Sequence, residues 1–384
     1  MAGEAQAVLK RFYGRFSGGR NARVWRAPGR VNLIGEHTDY NFGFVLPAAI
    51  DLACYTAAAP NGGDRLRVHS EDLDGGAEWP VGELAVLRPR GRWTDYIAGV
   101  AQQLIHLGVP IAGRDLLIRS TVPAGSGLSS SAALEVSVAL ALAGDYALDQ
   151  LELTRLCHRA ETEFVGLPCG IMDQFISVFG RSGAAICLDC RNLNHEVVAL
   201  PAGMVAIAVD SGIKHELASS AYRQRVAECA AAVNSLRERW PQVSSLRDAV
   251  PSMLDQQIPE PALRRARHVV TENLRVAEFV RAAGRRDLEA MGQILFASHE
   301  SLRLDYEVSC EELDFLVDTA RHIPGVFGAR MTGGGFGGST VNLLPAELEE
   351  GFSREIRRNY QHRFGIDPHI YICRPSAGAG EMKA

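Results

Sequence analysis

Lysine is scarce in this sequence, and two common ATP-binding architectures depend on it. Of the 384 residues only Lys10, Lys214 and Lys383 are lysines, and none of them follows a glycine-rich loop. A P-loop requires Gly-Lys-Ser/Thr, and a protein kinase requires a strand lysine together with HRD and DFG motifs. The sequence contains neither set. Any ATP bound by this chain must therefore be held by backbone amides, hydroxyls and a metal ion.

Long runs of basic or apolar residues are also missing. The formal net charge is −5, and no long Lys/Arg run offers a footprint for nucleic acid or an anionic membrane surface. The apolar stretch Ala132–Ala143 is too short to span a bilayer and is interrupted by Glu135 and Ser137. Residues 1–20 lack the charged-then-apolar layout of a secretory signal. We therefore expect a cytoplasmic protein that binds neither nucleic acid nor a membrane.

Cysteine is too sparse for a disulfide framework. The eight cysteines are scattered from Cys54 to Cys373, so we expect free thiols. Cys187 and Cys190 form a CxxC within the strand-like segment AAICLDC. Because no second CxxC completes a set of four ligands, this pair is interpreted as buried strand residues rather than a metal or redox site.

What the sequence does contain is enough apolar material for a large core. At 384 residues and 47% hydrophobic composition, the length fits two domains better than one. Strand-length apolar runs alternate with helical patterns and no fixed repeat is visible, which predicts a mixed α+β class. We place a soft domain boundary near residue 200, giving domains 1–200 and 201–384.

The clearest local pattern is a strand, a short loop and a helix. Residues 115–122 alternate like a strand, and residues 132–144 are helix-forming. A second helix is predicted over Leu151–Phe164, with Asp149 as its cap and Gly166 as its stop. In the second half the predicted strands are Met204–Val209, Val326–Met331, Ser339–Leu344 and His369–Cys373, and the predicted helices are Ser219–Leu236 and Pro261–Ala283. Residues 241–259 are predicted to be a connecting loop.

The loop Pro123-Ala-Gly-Ser-Gly-Leu-Ser-Ser-Ser131 fits a phosphate site. Phosphate oxygens need converging donors, which the N–H groups and dipole at a helix N-terminus supply. Gly125 and Gly127 allow close backbone approach, while Ser129, Ser130 and Ser131 offer hydroxyls to phosphate or magnesium. On pattern alone, a flexible turn with a serine cap is an equally good interpretation.

A GxGxxG also occurs at Gly333–Gly338. A dinucleotide-binding motif should open a helix, but this one leads into the strand-like residues 339–344. The acidic residues that follow belong to a helical pattern rather than the end of a second strand. A dinucleotide site is therefore disfavoured.

Several motifs together resemble one family. Arg26-Ala-Pro-Gly-Arg-Val-Asn-Leu-Ile-Gly-Glu-His-Thr-Asp-Tyr40 closely resembles the galactokinase signature. Pro123–Ser131 looks like the nucleotide motif of the superfamily that joins galactokinase, homoserine kinase, mevalonate kinase and phosphomevalonate kinase, and Arg330–Gly338 looks like its third motif. Gly170–Phe175 and Arg264–Val270 also resemble galactokinases, so the likeness covers nearly the whole chain.

The resemblance implies a fold and a reaction. The fold would be a two-domain α+β small-molecule kinase, with an N-terminal ribosomal-protein-S5-like domain and a C-terminal α+β, ferredoxin-like domain. The reaction would transfer the γ-phosphoryl group of MgATP to the anomeric hydroxyl of α-D-galactose. The products would be galactose 1-phosphate and ADP, in galactose metabolism.

The resemblance also implies the sugar-binding and catalytic residues. Carboxylate and imidazole groups held at different angles suit an array of sugar hydroxyls. The implied sugar ligands are Glu36, His37, Thr38, Asp39, Gly170, Asp173 and Tyr222. Asp173 would accept the proton of the attacking hydroxyl, while Arg30 would keep Asp173 ionised and stabilise charge on the transferred group. Whether Asp173 removes the proton fully or acts mainly electrostatically stays open.

The implied nucleotide and metal residues lie mostly in and around the phosphate loop. Residues Gly125, Ser126, Gly127, Leu128, Ser129, Ser130 and Ser131 would hold the phosphates, with Ser70 and Trp93 near the adenine. Ser126 departs from the Gly or Ala common in relatives. Ser131 and Glu161 would bind Mg²⁺, with Glu163 a solvent-facing neighbour. The glycines of the third motif would let its turn pack close to the phosphate loop, while Arg330 could equally be a structural ion-pair partner.

Two alternatives stay open at this point. One is a kinase for a related sugar such as N-acetylgalactosamine; homoserine and mevalonate fit less well, since those relatives lack the Glu-His-Thr-Asp-Tyr segment. The other is a galactose- and ATP-binding sensor that has lost catalysis. Retention of Arg30, Asp173, Ser131 and Glu161 argues against the sensor.

Overall fold

The structure is a computed structural model that describes residues 2–16, 21–73, 75–214 and 218–383. Its strands are β1 Arg23–Asn32, β2 Phe44–Val45, β3 Pro47–Pro60, β4 Arg65–Ser70, β5 Gly76–Pro80, β6 Arg114–Ser120, β7 Ala184–Asp189, β8 His195–Ala199, β9 Met204–Lys214, β10 Gly328–Thr332, β11 Gly337–Pro345, β12 His369–Cys373 and β13 Gly380–Met382. Its α-helices are α1 Ala2–Arg15, α2 Thr94–His106, α3 Ser130–Ala143, α4 Gln150–Arg159, α5 Met172–Phe179, α6 Ala218–Arg239, α7 Ala262–Arg285, α8 Leu288–Ser301, α9 Glu311–His322 and α10 Glu349–Phe364.

One sheet carries the N-terminal motifs. Its strand order is β13-β1-β3-β6-β4-β5, and only the β4/β6 pair is parallel. Helix α3 lies against β1 and β3 and is buried nearly all round, as expected for a helix that is apolar on every side. Strand β13 pairs with β1, so the end of the chain returns to this sheet. The packing places the loop before α3 beside the end of β1.

A second antiparallel sheet has the order β10-β11-β9-β12. Helices α9 and α10 bury apolar side chains against it, among them Phe352, Ile356 and the ring of Tyr360. A small third sheet, β2-β7-β8, joins the segment after β1 to the middle of the chain. The separate sheets confirm the α+β class, whereas the boundary near residue 200 stays a prediction.

The predicted helix Leu151–Phe164 is present, with one local change. The Asp149 side chain accepts hydrogen bonds from the backbone N–H groups of Leu151 and Glu152, which confirms the cap. After Arg159 the helix widens into a π-helical segment, Ala160–Val165, that ends at Gly166 with φ +83°. Such widened turns are common at functional sites, and this one holds Glu161.

The structure also bears on the predictions for the cysteines, the GxGxxG segment and residues 241–259. Cys187 lies in β7, Cys190 directly follows it, and all eight cysteines are free thiols. The GxGxxG leads into β11 rather than a helix. Residues 241–259 contain two short 3₁₀ turns, Leu246–Asp248 and Pro251–Met253. Within the described ranges, no helix combines the length and apolarity needed to cross a bilayer.

Candidate active site

The predicted phosphate loop connects β6 to α3. Gly125 and Gly127 have φ of +76° and +77°, conformations that side chains rarely adopt. The Ser126 hydroxyl is buried and donates to the carbonyl of Pro123 at 2.9 Å, so it stabilises the loop itself. Ser129, at φ +60°, precedes the first turn of α3, whose N–H groups have no partner within the helix. The loop therefore presents donors of the kind an anion requires.

Arg30 ties the phosphate loop to Asp173. Its Nε and Nη2 donate to Asp173 Oδ1 and Oδ2 at 2.8 and 2.9 Å, and its Nη1 donates to the carbonyl of Gly127. The Ser129 hydroxyl also donates to Asp173 Oδ2, at 2.5 Å. Only 6% of the Arg30 side chain is exposed. The bidentate contact fixes the carboxylate on the first turn of α5, directly beside the loop.

A cavity of about 300 Å³ opens next to this pair. It brings together residues from the loop after β1, the segment between α4 and α5, and helix α6. The predicted site residues that line it are Arg30, Glu36, His37, Asp39, Glu161, Gly170, Asp173 and Tyr222. Thr38 is absent from its lining: the Thr38 hydroxyl is buried and lies 2.8 and 2.6 Å from the carbonyl oxygens of Gly35 and Phe44, which share its one proton.

Glu36 is 2% exposed and is held by several donors. It pairs with Arg330, and it accepts from the Asn32 amide at 2.9 Å and the Gly333 N–H at 2.8 Å. Burial raises the pKa of Glu36, and the Arg330 charge opposes that change. Arg330 is fully buried. The structural ion pair considered for Arg330 is therefore present, and its partner is a cavity-lining carboxylate.

His37 adopts a left-handed backbone conformation, with φ +61°. Its Nδ1 lies 2.9 Å from the Tyr40 hydroxyl, and its ring packs against Tyr222 and Tyr306 with centroid distances of 5.6 and 4.7 Å. Burial lowers the pKa of His37 to about 3. The imidazole at the cavity wall is therefore neutral.

The Asp39 carboxylate lies against the backbone of Gly170. A Cβ on Gly170 would lie 2.2 Å from Asp39 Oδ2, so glycine is needed where the carboxylate approaches the backbone. Burial, and next the negative charge of Asp173, raise the pKa of Asp39 to about 7. Asp39 thus changes charge near neutral pH.

Helix α7 supports the loop that carries these side chains. His268 Nε2 lies 3.1 Å from the carbonyl oxygen of Glu36, and Glu272 accepts from the Gly35 N–H at 3.0 Å. Asn273 accepts from the Phe44 N–H at 2.8 Å. Residues 264–270, which resemble galactokinases, therefore lie next to the loop between β1 and β2, residues 33–43, which we call the acceptor loop. The sequence alone did not suggest this role.

A second cavity, of about 280 Å³, lies on the other side of the phosphate loop. Ser70 and Trp93, predicted near the adenine, line it together with Ser130 and Ser131. Its lining is mostly apolar and includes the ring of Tyr96. These residues come from β4, from α2 and the residue before it, and from α3, which are distant in sequence.

Ser131 and Glu161 meet between the two cavities. Burial raises the pKa of Glu161, and hydrogen bonds from Cys169 and Ser131 oppose that change. The Gln174 amide donates to Glu161 Oε2 at 2.6 Å. A hydroxyl and a carboxylate beside a phosphate loop form a donor set that suits Mg²⁺, which often takes only one or two protein ligands. Among the described residues, no group of three or more His, Cys, Asp or Glu side chains is arranged to hold a metal ion. Glu163 is exposed to solvent, as predicted.

Sequence reasoning missed part of the lining. Residues 333–336, expected only to pack on the phosphate loop, also form a wall of the first cavity. The expected packing is present, since a Cβ on Gly333 would lie 3.2 Å from Gly127 Cα. Cys169 and Met172 also line the cavity, and their closeness to Asp173 in sequence was the available signal.

Three family models match the chain. The galactokinase galactose-binding signature matches residues 10–60, the GHMP kinases N terminal domain matches residues 95–181, and the GHMP kinases C terminal model matches residues 279–362. The first model covers the acceptor loop. The second covers the phosphate loop, Glu161 and Asp173.

Known proteins are similar over almost their full length. The chain is 45% identical to a galactokinase of Roseiflexus sp., covering 94% of this chain and 93% of that protein. It is 45% identical to a galactokinase of Chloroflexus aurantiacus, with coverage of 97% and 96%. The crystal structure of Lactococcus lactis galactokinase complexed with galactose matches with a TM-score of 0.93 at 32% identity, covering 98% of this chain and 99% of that one.

Proposed function

The chain belongs to the galactokinase family, and from that premise we propose that it transfers the γ-phosphoryl group of ATP to the anomeric hydroxyl of α-D-galactose. The products are galactose 1-phosphate and ADP. One observation carries the proposal: the Arg30–Asp173 pair lies at the junction of a phosphate loop and a cavity lined by carboxylates. A second, largely apolar cavity on the far side of that loop has the character expected of an adenine site.

Galactose fits the first cavity by chemistry. The cavity presents the Glu36, Asp39 and Asp173 carboxylates, a neutral His37 and the Tyr222 side chain. Carboxylates accept from sugar hydroxyls, and the apolar face of Tyr222 suits the ring carbons. The cavity volume of about 300 Å³ is compatible with one monosaccharide.

Asp173 accepts the proton of the anomeric hydroxyl as that oxygen attacks the γ-phosphorus. Each oxygen of an ionised carboxylate has two acceptor sites, so the bonds from Arg30 and Ser129 leave capacity for the sugar. Arg30 orients the base and places a fixed positive charge where the transferred group gains negative charge. The backbone of the phosphate loop holds the remaining phosphates.

Ser131 and Glu161 would hold a magnesium ion with the nucleotide. When bound, that ion neutralises charge on the phosphate oxygens. The Gln174 amide keeps the Glu161 carboxylate in place.

We also propose that the chain is divided into domains 1–200 and 201–384 and that the protein is located in the cytoplasm. The eight free thiols support the cytoplasmic location.

The test is ADP release by the purified protein with MgATP and a panel of galactose, glucose, N-acetylgalactosamine, homoserine and mevalonate. We expect release to depend on galactose and to exceed release with the other acceptors. No galactose-dependent ADP release would contradict the proposal. Binding of both galactose and ATP without turnover would support the sensor alternative, and higher kcat/KM for another sugar would reassign the substrate.

A further inference from the structure

A chain of buried hydroxyl and thiol groups leads from helix α6 to the wall of the first cavity. The Cys229 sulfur lies 3.1 Å from the Tyr306 hydroxyl, which lies 2.6 Å from the Tyr40 hydroxyl. The Tyr40 hydroxyl lies 2.9 Å from His37 Nδ1. Cys229 and Tyr306 are buried, and neither they nor Tyr40 line the cavity. The hydrogen-bonded groups therefore reach the cavity through His37, while the ring of Tyr40 also packs against the cavity-lining Tyr222 at a centroid distance of 5.4 Å.

The other ring nitrogen of His37 is buried and has no hydrogen-bond partner of good geometry among the described residues. Burial lowers the pKa of His37, and the Gly334 backbone lies near enough to the ring to oppose that change as a hydrogen-bond acceptor, but no contact to Nε2 there is well enough aligned to satisfy that nitrogen. A buried polar atom without a partner is costly, so such an atom at a cavity wall points to a ligand. Since the ring is neutral, one nitrogen carries a proton and the other accepts. The bond made at Nδ1 therefore decides whether Nε2 donates or accepts.

The hydrogen bonds from Cys229 to His37 can all donate toward His37 or all donate toward Cys229. The contacts of the Cys229 sulfur distinguish these two directions. The Asn41 amide donates to the Cys229 sulfur at 3.6 Å. If His37 Nδ1–H donated to Tyr40, the tyrosines would donate in turn to that sulfur. The sulfur would then accept twice, while the thiol proton would lack an acceptor within the chain.

In the opposite direction every group of the chain is used. The thiol donates to Tyr306, Tyr306 donates to Tyr40, and Tyr40 donates to His37 Nδ1. An imidazole nitrogen is a much better acceptor than a thiol sulfur, so this direction places the strongest acceptor at the end of the chain. Hydrogen bonds aligned in one direction also polarise and strengthen one another.

We infer that the Cys229–Tyr306–Tyr40 chain fixes the proton of His37 on Nε2 and makes His37 a neutral hydrogen-bond donor to one hydroxyl oxygen of the acceptor sugar. The inference rests on the proposed function for the identity of the acceptor. The same sugar hydroxyl can donate its own proton to a neighbouring carboxylate, so the pocket recognises one oxygen as acceptor and donor together. Tyr40 and Tyr306 are positioning residues for sugar specificity.

The inference predicts an effect on sugar binding more than on turnover. Tyr40→Phe removes the donor to Nδ1 and lets the ring adopt the other tautomer. A hydrogen bond contributes about 0.5–1.5 kcal/mol, so KM for galactose should rise about 2- to 13-fold. We expect kcat to change less than KM, because Asp173 and Arg30 are untouched. Tyr306→Phe should shift KM in the same direction by a smaller factor.

Tyr360→Phe is the matched control. Tyr360 is also a buried tyrosine, and its hydroxyl donates to the carbonyl of Ser211 at 2.9 Å, away from the cavity. It should leave KM unchanged. Monodeoxygalactoses give a second control: on the analogue that lacks the contacted hydroxyl, wild type and Tyr40→Phe should have the same KM. Equal loss on every analogue would overturn the inference.

The deciding measurement is the tautomer, read from ¹⁵N shifts of histidine-labelled wild-type protein with His37 assigned by His37→Asn. We expect a protonated Nε2 and an unprotonated Nδ1, with the preference weakened in Tyr40→Phe. A protonated Nδ1 in wild type would overturn the inference even if Tyr40→Phe failed to fold. This readout needs no turnover, so absent galactose activity would contradict the proposed function separately.

Discussion

At the scale of residues, two aspartates in one cavity have different surroundings. Asp173 is fixed by Arg30 and Ser129, whereas the largest influences on Asp39 are burial and the negative charge of Asp173. Carboxylates in one site whose environments differ commonly take different roles. This difference supports the proposal that Asp173 acts on the reacting hydroxyl and that Asp39 binds the sugar.

Replacing Asp173 by asparagine should nearly abolish turnover. The amide keeps the size of the side chain but cannot accept the proton, and general-base catalysis contributes about 10²- to 10⁴-fold. We expect kcat to fall by at least about 100-fold, with ATP affinity close to wild type by calorimetry. Asp149→Asn is the control, because asparagine is an equally good helix cap. Near-normal kcat in Asp173→Asn would remove Asp173 from the mechanism.

Replacing Asp39 by asparagine should change how stability depends on pH. The folded pKa of about 7 lies above the ordinary 3.8, so between these values the folded wild type binds more protons than the unfolded chain. Wild type therefore loses stability relative to the variant as pH rises from about 4 to 7, and the difference is constant above 7. Urea unfolding without ligands at several pH values measures this. If the difference in free energy of unfolding between wild type and variant did not depend on pH, the raised pKa of Asp39 would be contradicted. We also expect KM for galactose to rise in the variant.

At the scale of elements, the strand–loop–helix unit β6–α3 works because its two glycines occur where the backbone turns left-handed. A Cβ on Gly127 would lie 3.3 Å from the Thr332 carbonyl oxygen, so the loop also touches the third glycine motif. Conformation and contact together restrict this position to glycine.

Gly127→Ala should therefore weaken both folding and nucleotide binding. A left-handed alanine costs roughly 1–2 kcal/mol, and displacement of the loop should raise KM for ATP. Gly62→Ala is the matched control, since Gly62 has φ +69° but nothing within 4 Å of the added Cβ. The control should show the stability cost without the change in KM. Equal KM for ATP in both variants would contradict a role for the loop in ATP binding.

At the scale of the whole molecule, a set of hydrogen bonds joins the end of β1, the acceptor loop and the phosphate loop to the second sheet. Arg330 of β10 donates to the carbonyls of Asn32 and Leu33 and pairs with Glu36. Ser339 of β11 donates to the carbonyl of Ser126 at 2.6 Å. The second sheet thereby fixes the positions of the two loops relative to each other.

Arg330→Met should destabilise the protein strongly. It leaves the buried Glu36 carboxylate without its cation, and breaking one side of a buried pair costs about 3–5 kcal/mol. Arg357→Met is the control, because the Arg357–Asp367 pair is exposed and such pairs contribute about 0–1 kcal/mol. Urea unfolding of both variants gives the comparison. Similar free energies of unfolding for the two variants would show that the Glu36–Arg330 pair does not stabilise the contact between the second sheet and the acceptor loop.

The sequence by itself determined the features that depend on near neighbours or on long motifs. The cap at Asp149, the stop at Gly166, the strand–loop–helix unit and the galactokinase signature were all readable, because local hydrogen bonding and backbone sterics act over a few residues. Most predicted sugar ligands line one cavity, although they come from three separate segments: residues 36–39, residues 170–173 and Tyr222. The resemblance to a family, and not a local pattern, allowed the three segments to be predicted together.

Only the tertiary structure decided which distant groups meet. Glu36 and Arg330 are 294 positions apart, and the Tyr40–Tyr306 contact spans 266 positions. The hydroxyl of Ser129, predicted for phosphate, contacts Asp173, and that of Thr38 is used inside its own loop. Such pairings follow from how sheets and helices pack, because a side chain's partner depends on the three-dimensional approach of elements and not on spacing along the chain.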